Sequence, residues 1–181
     1  GLELEVVPTR WVDIIPALVG DRFDMIMSAM SITEERLQQI NFSDPYYQNN
    51  LAITCPADKP IADAAGLVGK VVGVVVDTTG QFAVEEITGV KEIKKYEDTI
   101  RVALQDLEAG RVEAVVNDEP INAYLIKGKP NLVNSGVIVV DDYYGFGIKK
   151  ENAALLTAVN QALKELQDEG TYELIRLKWI G

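Results

Sequence analysis

The chain has 181 residues, of which 48% are hydrophobic and 25% charged, with a mean hydropathy of +0.04. That profile excludes global disorder, collagen and coiled coil, and the length allows one or two domains with cores of their own. Lys and Arg number 17 against 28 Asp and Glu, a net charge of −11, which repels a phosphate backbone and argues against nucleic-acid binding.

The single cysteine, Cys55, excludes an internal disulfide. The absence of His removes the usual metal ligand and general base, and no cofactor is implied. No apolar run reaches the roughly 18 residues of a membrane span. The start shows neither a basic n-region nor an apolar h-region, so it reads as a chain whose leader has been removed. It enters directly on the strand-like run Gly1-Leu2-Glu3-Leu4-Glu5-Val6-Val7.

Strand patterns fall at residues 4–7, 23–27, 51–55, 70–76, 90–96, 112–117, 137–140 and 143–148. Several are apolar nearly throughout, as in parallel strands covered on both faces. Helical patterns lie between them at 11–19, 33–39, 81–87, 98–108 and 120–127, three of them closing near Gly20, Gly110 and Gly128. In the last thirty or so residues, Leu155, Leu156, Val159, Ala162, Leu163 and Leu166 mark one apolar helix face. Gly170 ends that helix, and Thr171 can cap the next. Alternating strands and helices predict an α/β chain with parallel sheets. The aromatic- and glycine-containing stretches 44–50 and 141–147 read as two passages between lobes, with the character of a hinge.

Three strand-to-helix turns could carry chemistry. Ser28-Ala29-Met30-Ser31-Ile32-Thr33-Glu34-Glu35-Arg36 follows a strand, where α/β sheets place ligands. Ser31 or Thr33 can cap the helix, whose N–H groups suit an anion, and Arg36 can grip a carboxylate bidentately. A capped surface helix with a solvated Arg explains the same residues. Asp77-Thr78-Thr79-Gly80-Gln81 is a second anion-friendly turn; it is not a P-loop or dinucleotide fingerprint, and a Thr-capped turn explains it equally. Asp118, in Val116-Asn117-Asp118-Glu119-Pro120, can accept from an ammonium or serve as an N-cap, and the roles can coexist. Together the three turns form the complement of a zwitterion with adjacent carboxylate and ammonium, as in an α-amino acid.

The run 23–36, with Asn41-Phe42-Ser43-Asp44-Pro45-Tyr46-Tyr47 behind it, resembles the polar amino-acid-binding proteins of bacterial ABC importers, the extracellular solute-binding proteins of family three. So do residues 11–18, 67–74, 77–80, 110–118 and 144–148 and the closing 170–181, in collinear order along the chain. The resemblance implies an α/β, two-lobed periplasmic-binding-protein (Venus flytrap) fold with two crossovers. Lobe one would take residues 1–48 and return at 142–181, with lobe two at 49–141. By position, Arg36 would pair with the ligand α-carboxylate, helped by the N–H groups of Ser31 and Thr79. Asp118 would take the α-ammonium with the Ala29 carbonyl and the Ser31 hydroxyl, while Thr78 and Gly80 shape the second turn.

The resemblance also implies a strand-and-helix unit before residue 2 that this sequence lacks, leaving lobe one incomplete at its N-terminus and open to completion by dimerisation or domain swapping. The function implied is binding a polar or basic free amino acid and delivering it to an ABC-transporter permease. The location would be periplasmic or extracellular, with membrane anchoring as a lipoprotein before processing left open. Two other classes share the scaffold: a ligand-sensing domain of a receptor, and a dehydratase-type enzyme, which would need a general acid over its substrate.

Overall fold

The structure, a computed structural model, describes residues 3–97 and 99–180. After a 3-10 turn (Trp11–Asp13) come α1 (Ile14–Val19), β1 (Met25–Ser31), α2 (Glu34–Gln39), β2 (Asn41–Phe42) and β3 (Tyr47–Pro56). A second 3-10 turn (Ala64–Leu67) leads to β4 (Val71–Val75), α3 (Thr79–Glu85), β5 (Glu92–Tyr96), α4 (Ile100–Glu108) and β6 (Ala114–Asp118). The chain closes with α5 (Glu119–Ile126), β7 (Leu132–Ile148), α6 (Ala153–Asp168) and α7 (Thr171–Trp179). Residues up to 47 and residues 143–179 form one compact unit, unit 1; residues 48–142 form another, unit 2.

Unit 2 is built on the strand order β3-β6-β4-β5. β6 is buried at every position because it has neighbours on both sides: antiparallel β3 (Leu51 opposite Asp118) and parallel β4 (Val72 opposite Ala114). The period of two sends alternate residues to opposite faces. Leu51, Ile53, Val72, Val74, Ala114 and Val116 meet Val84 of α3 on one face. Val115 and Tyr96 meet Ala103, Leu104 and Leu107 of α4 on the other. The three-and-four spacing of Ala103, Leu104 and Leu107 is what turns that side of α4 inward.

In unit 1 the C-terminal part of β7 lies between β1 and β2, antiparallel to both, with Ile148 opposite Met25 on one side and Asn41 on the other. Ile14 and Leu18 of α1 pack with Ile26, Met30, Ile40 and Phe42. The Tyr144-Gly145-Phe146-Gly147 stretch belongs to this core. A Cβ on Gly145 would stand 3.0 Å from Ile32 Cδ1, and one on Gly147 3.0 Å from Ile40 Cδ1. The glycines leave room for those side chains. On the same stretch Tyr46 stacks on Phe146 with ring centroids 4.6 Å apart, and Tyr47 on Tyr144 at 5.5 Å.

Three expectations are corrected. Residues 4–7 form no strand: no described strand pairs with them, and Leu4 and Val6 are 74% and 77% exposed. Gly1 and Leu2 of that run, Asp98 at the start of the fourth helical pattern, and the closing Gly181 lie outside the described residues. The sheets are mixed, since β3 pairs antiparallel with β6, and β7 with β1 and β2, while β4 pairs parallel with β5 and β6. The stretches 137–140 and 143–148 are one strand of 17 residues, β7, because extended backbone continues through Asp141 and Asp142 where polar residues suggested a break. Helix α1 ends at Gly20 as expected, with φ of −82°, while Gly110, Gly128 and Gly170, which follow later helices, have positive φ.

Candidate functional site

Unit 1 holds Ala29, Ser31 and Arg36. Between Ile26 and Met30 the β1 register shifts, and Ala29 within that irregularity has φ of +49°. A left-handed alanine costs on the order of 1 kcal/mol, which marks the bulge as a place where the backbone is re-aimed. Thr33, not Ser31, caps α2: its hydroxyl accepts from the Arg36 N–H at 3.2 Å. Ser31 ends β1, is 4% exposed, and its carbonyl accepts from Arg36 Nη1 at 2.9 Å. The reading of Arg36 as a solvated surface residue is therefore corrected. Its residue exposure is 7%, and its guanidinium lies 5.2 Å from the centre of the Trp11 ring. The cation–π contact with Trp11 and the bond to Ser31 hold the guanidinium in position, which a bidentate carboxylate grip requires.

Unit 2 holds Thr78, Thr79 and Asp118. The α3 turn is tightly built. The Thr78 hydroxyl accepts from the Gln81 N–H at 3.2 Å and donates to the Val75 carbonyl at 2.7 Å, tying the cap to the end of β4. Asp77 adopts φ of +57°, and its N–H donates to Gln81 Oε1 at 2.9 Å. Gly80 lets α3 touch β6: a Cβ there would stand 2.9 Å from the Val116 carbonyl oxygen. Thr79, one residue earlier, donates its hydroxyl to Asp142 Oδ2 at 3.2 Å.

Asp118 closes β6 at the position of the α5 N-cap, with Pro120 in the first turn, but its side chain makes no capping hydrogen bond. Capping does not explain it. Instead Oδ1 accepts from Asn49 Nδ2 at 3.0 Å, and Asp118 is 8% exposed. The same Nδ2 donates to Asp142 Oδ2 at 3.1 Å. Asn49, fully buried, and Asp142, 5% exposed, are site residues that the sequence reading missed. They stand on β3 and β7, 93 positions apart, and only the strand pairing brings them to Asp118. A bond from a neutral donor to a carboxylate contributes about 1.5–3 kcal/mol, enough to hold the Asp118 rotamer.

Two further polar networks belong to unit 2. Below the end of β6, Asn122 Nδ2 donates to Thr54 Oγ1 at 2.7 Å, and Thr54 donates to Asn134 Oδ1 at 2.6 Å, linking α5, β3 and β7. Cys55 is a free, buried thiol 3.0 Å from the Ser135 hydroxyl and belongs to this strand packing. Away from the turns, Asp106 on α4 accepts from Lys94 Nζ and Tyr96 Oη at 2.6 Å and from Arg111 Nε at 2.7 Å. Arg111, Lys94 and Tyr96 hold that carboxyl well below the usual carboxylate range. Burial, and the bond to Asp106, push the Tyr96 phenol above its ordinary value.

A mixed α/β chain of two units, with a buried arginine in one and two buried aspartates in the other, has the parts of a two-lobed solute receptor. The chain matches bacterial extracellular solute-binding proteins, family 3, over residues 1–181, and it belongs to that family. It is 30% identical over 188 residues to a probable histidine-binding protein of Neisseria gonorrhoeae, an alignment covering 100% of this chain and 69% of that protein. Among solved structures it resembles an ancestral arginine-binding protein bound to arginine, with a TM-score of 0.92 and 34% identity over 100% of this chain and 82% of the other. It also resembles the ancestral amino acid-binding protein AncCDT-1, a precursor of cyclohexadienyl dehydratase, with a TM-score of 0.90 and 35% identity over 100% and 79%. Members of the family are periplasmic or extracellular, and among the described residues no helix is long and apolar enough to cross a membrane.

Proposed function

We propose that this chain binds a free amino acid and delivers it to the permease of a bacterial ABC transporter from a periplasmic or extracellular position. Arg36 takes the α-carboxylate, with the Ser31 and Thr79 N–H groups, and Asp118 takes the α-ammonium, with the Ala29 carbonyl. Thr78 fixes the turn that presents Thr79. The observation that carries this reading is Asp118 itself. A buried carboxylate at a helix start that makes no capping bond, and accepts from Asn49 instead, supports a role in holding a cationic ligand group.

Ligand class follows from the relatives' ligands together with the acidic surroundings of Asp118, and we assign a polar or basic amino acid. Non-enzymatic binding is the reading of choice. The likeness to a dehydratase precursor supports the enzymatic alternative, which requires a general acid over the substrate, and the chain contains no His.

A thermal-shift screen of the standard L-amino acids tests the binding. A ligand at one hundred times its Kd adds about 2.7 kcal/mol of stability. The shift is expected to vanish in Arg36→Met and to persist in the exposed α4 control Arg101→Met. No shift with any amino acid, or equal loss in both variants, refutes the reading. Product formation from a cyclohexadienyl substrate would favour the enzyme instead.

A further inference from the structure

We infer that Asp142 is a charge-selecting residue which, with Asn49, makes unit 2 prefer an amino acid of net positive charge over a neutral one of similar size. The inference rests on the proposed role of Asp118 as the ammonium site and concerns what stands behind it.

One amide nitrogen serves two carboxylates here: Asn49 Nδ2 donates to Asp118 Oδ1 at 3.0 Å and to Asp142 Oδ2 at 3.1 Å. The two acceptor oxygens therefore lie within two hydrogen-bond lengths of each other, about 6 Å at most. Both residues are less than a tenth exposed, so their charges act through protein more than through water. Asp142 is further fixed by the Thr79 hydroxyl, 3.2 Å from the same Oδ2. The amide of Asn49 has one orientation available, because turning it over would set its carbonyl oxygen against two carboxylates.

That orientation leaves Asn49 Oδ1, in a side chain with no exposure, without a hydrogen-bond partner. A buried acceptor without a donor is costly, and an N–H of a bound ammonium is the group that completes it. Asp118, Asn49 Oδ1 and Asp142 thus present acceptors and negative charge together. Contact with Asp142 is not needed for it to be felt: the field of a buried carboxylate extends beyond hydrogen-bond range, so it acts on a ligand's side-chain charge as well as on the ammonium. Asp118 reads the ammonium that every amino acid carries. Asp142 adds a second negative charge, which favours a ligand carrying a further positive charge.

Calorimetric titration of L-arginine and L-glutamine into the wild-type chain and Asp142→Asn tests this. Both ligands carry the same ammonium and carboxylate on a polar side chain, and they differ in side-chain charge. The glutamine-to-arginine ratio of Kd values is expected to fall about tenfold in Asp142→Asn and to return in Asp142→Glu. An unchanged ratio overturns the inference, whether both affinities hold or both fall together, since a merely structural role would weaken both alike. Asp142→Ser, read by the same ratio, replaces Asp142→Asn if that variant does not fold by circular dichroism. Asp118→Asn separates the two readings. Glutamine binding that survives it refutes the ammonium role of Asp118, whereas loss of both ligands there with a flat ratio in Asp142→Asn refutes only the charge-selecting role.

Discussion

Replacing Gly80 by alanine would separate packing from propensity at the turn carrying Thr79. In an open helical position the change stabilises, by up to about 1 kcal/mol. Here the new Cβ would meet the Val116 carbonyl oxygen at 2.9 Å and Asn117 Cα at 3.4 Å, both backbone atoms of β6 that cannot rotate away. Relief requires α3 to withdraw from β6 by a few tenths of an ångström, and overpacking of this kind costs about 1–3 kcal/mol. The net expectation is destabilisation by about 1–2 kcal/mol, which at about 2–4 °C per kcal/mol for a chain of this size lowers Tm by roughly 2–8 °C. The same withdrawal moves Thr79 away from Asp142, so amino-acid affinity should fall as well. Gly110→Ala is the contrasting change: nothing lies within 4 Å of its Cβ and its φ is +69°, so it should cost stability and leave affinity intact. Calorimetric melting and ligand titration of both variants provide the check. A Gly80→Ala chain that melts higher than wild type would refute the close-approach argument.

The Asp106 cluster makes unit 2 sensitive to acid. Its carboxyl is held below the ordinary range by Arg111, Lys94 and Tyr96, so the stabilisation is present above the unfolded pKa of about 4 and is lost as pH falls below it. Asp106→Asn should melt lower at neutral pH and show a flatter acid limb; equal slopes in the two chains would refute this. In an ultraviolet alkaline titration of the 7 tyrosines, Tyr96 should ionise after the others, and Tyr96→Phe should remove that late step. β1 carries no charged residue across Met25–Ser31, pairs with β7 alone among the described strands, and shows Met27 56% exposed. Such an edge invites a second copy. Light scattering should give a mass above the 19.9 kDa of one chain, returning toward it in Met27→Lys; a monomeric wild-type chain would refute the self-association reading.

Local pattern carried the sequence reading furthest where the signal is itself local. The apolar spacing of α4, the β-branched run of β4 and the Thr78 turn all depend on residues within a few positions of each other, and each formed within a few residues of the expected bounds. Asn134-Ser135-Gly136 fell outside the expected strand at 137–140, and Asp141-Asp142 read as the start of a passage between lobes, because polar and glycine residues usually end strands. In β7 they serve other purposes. A Cβ on Gly136 would stand 2.6 Å from the Ile61 carbonyl oxygen, and Asn134, Ser135 and Asp142 bond to β3, residue 61 and α3. The pairing of Asn49 with Asp142 and Asp118 could not be read in advance, since it exists only once strand order is fixed. For Arg36 and Asp118 the residues were legible while their surroundings were not. Sequence could not say that Arg36 lies on Trp11, or that Asp118 declines its cap.

The order in which the two units occur along the chain has a consequence for how the protein is made. Unit 2 is built from one stretch, 48–142, so every residue of its core has been synthesised before β7 is complete. Unit 1 has no such independence. Met25 and Ile26 of β1 must wait more than a hundred residues for Ile148 and Gly147, their partners. Contacts so distant in sequence form slowly because a long loop must close first. During synthesis the part of unit 1 that precedes residue 48 is therefore a waiting segment and unit 2 the early folding body. A pause or a slow step in unit 2 prolongs the time for which the apolar residues of α1 and β1 stand uncovered, which ties the fate of one unit to the folding rate of the other.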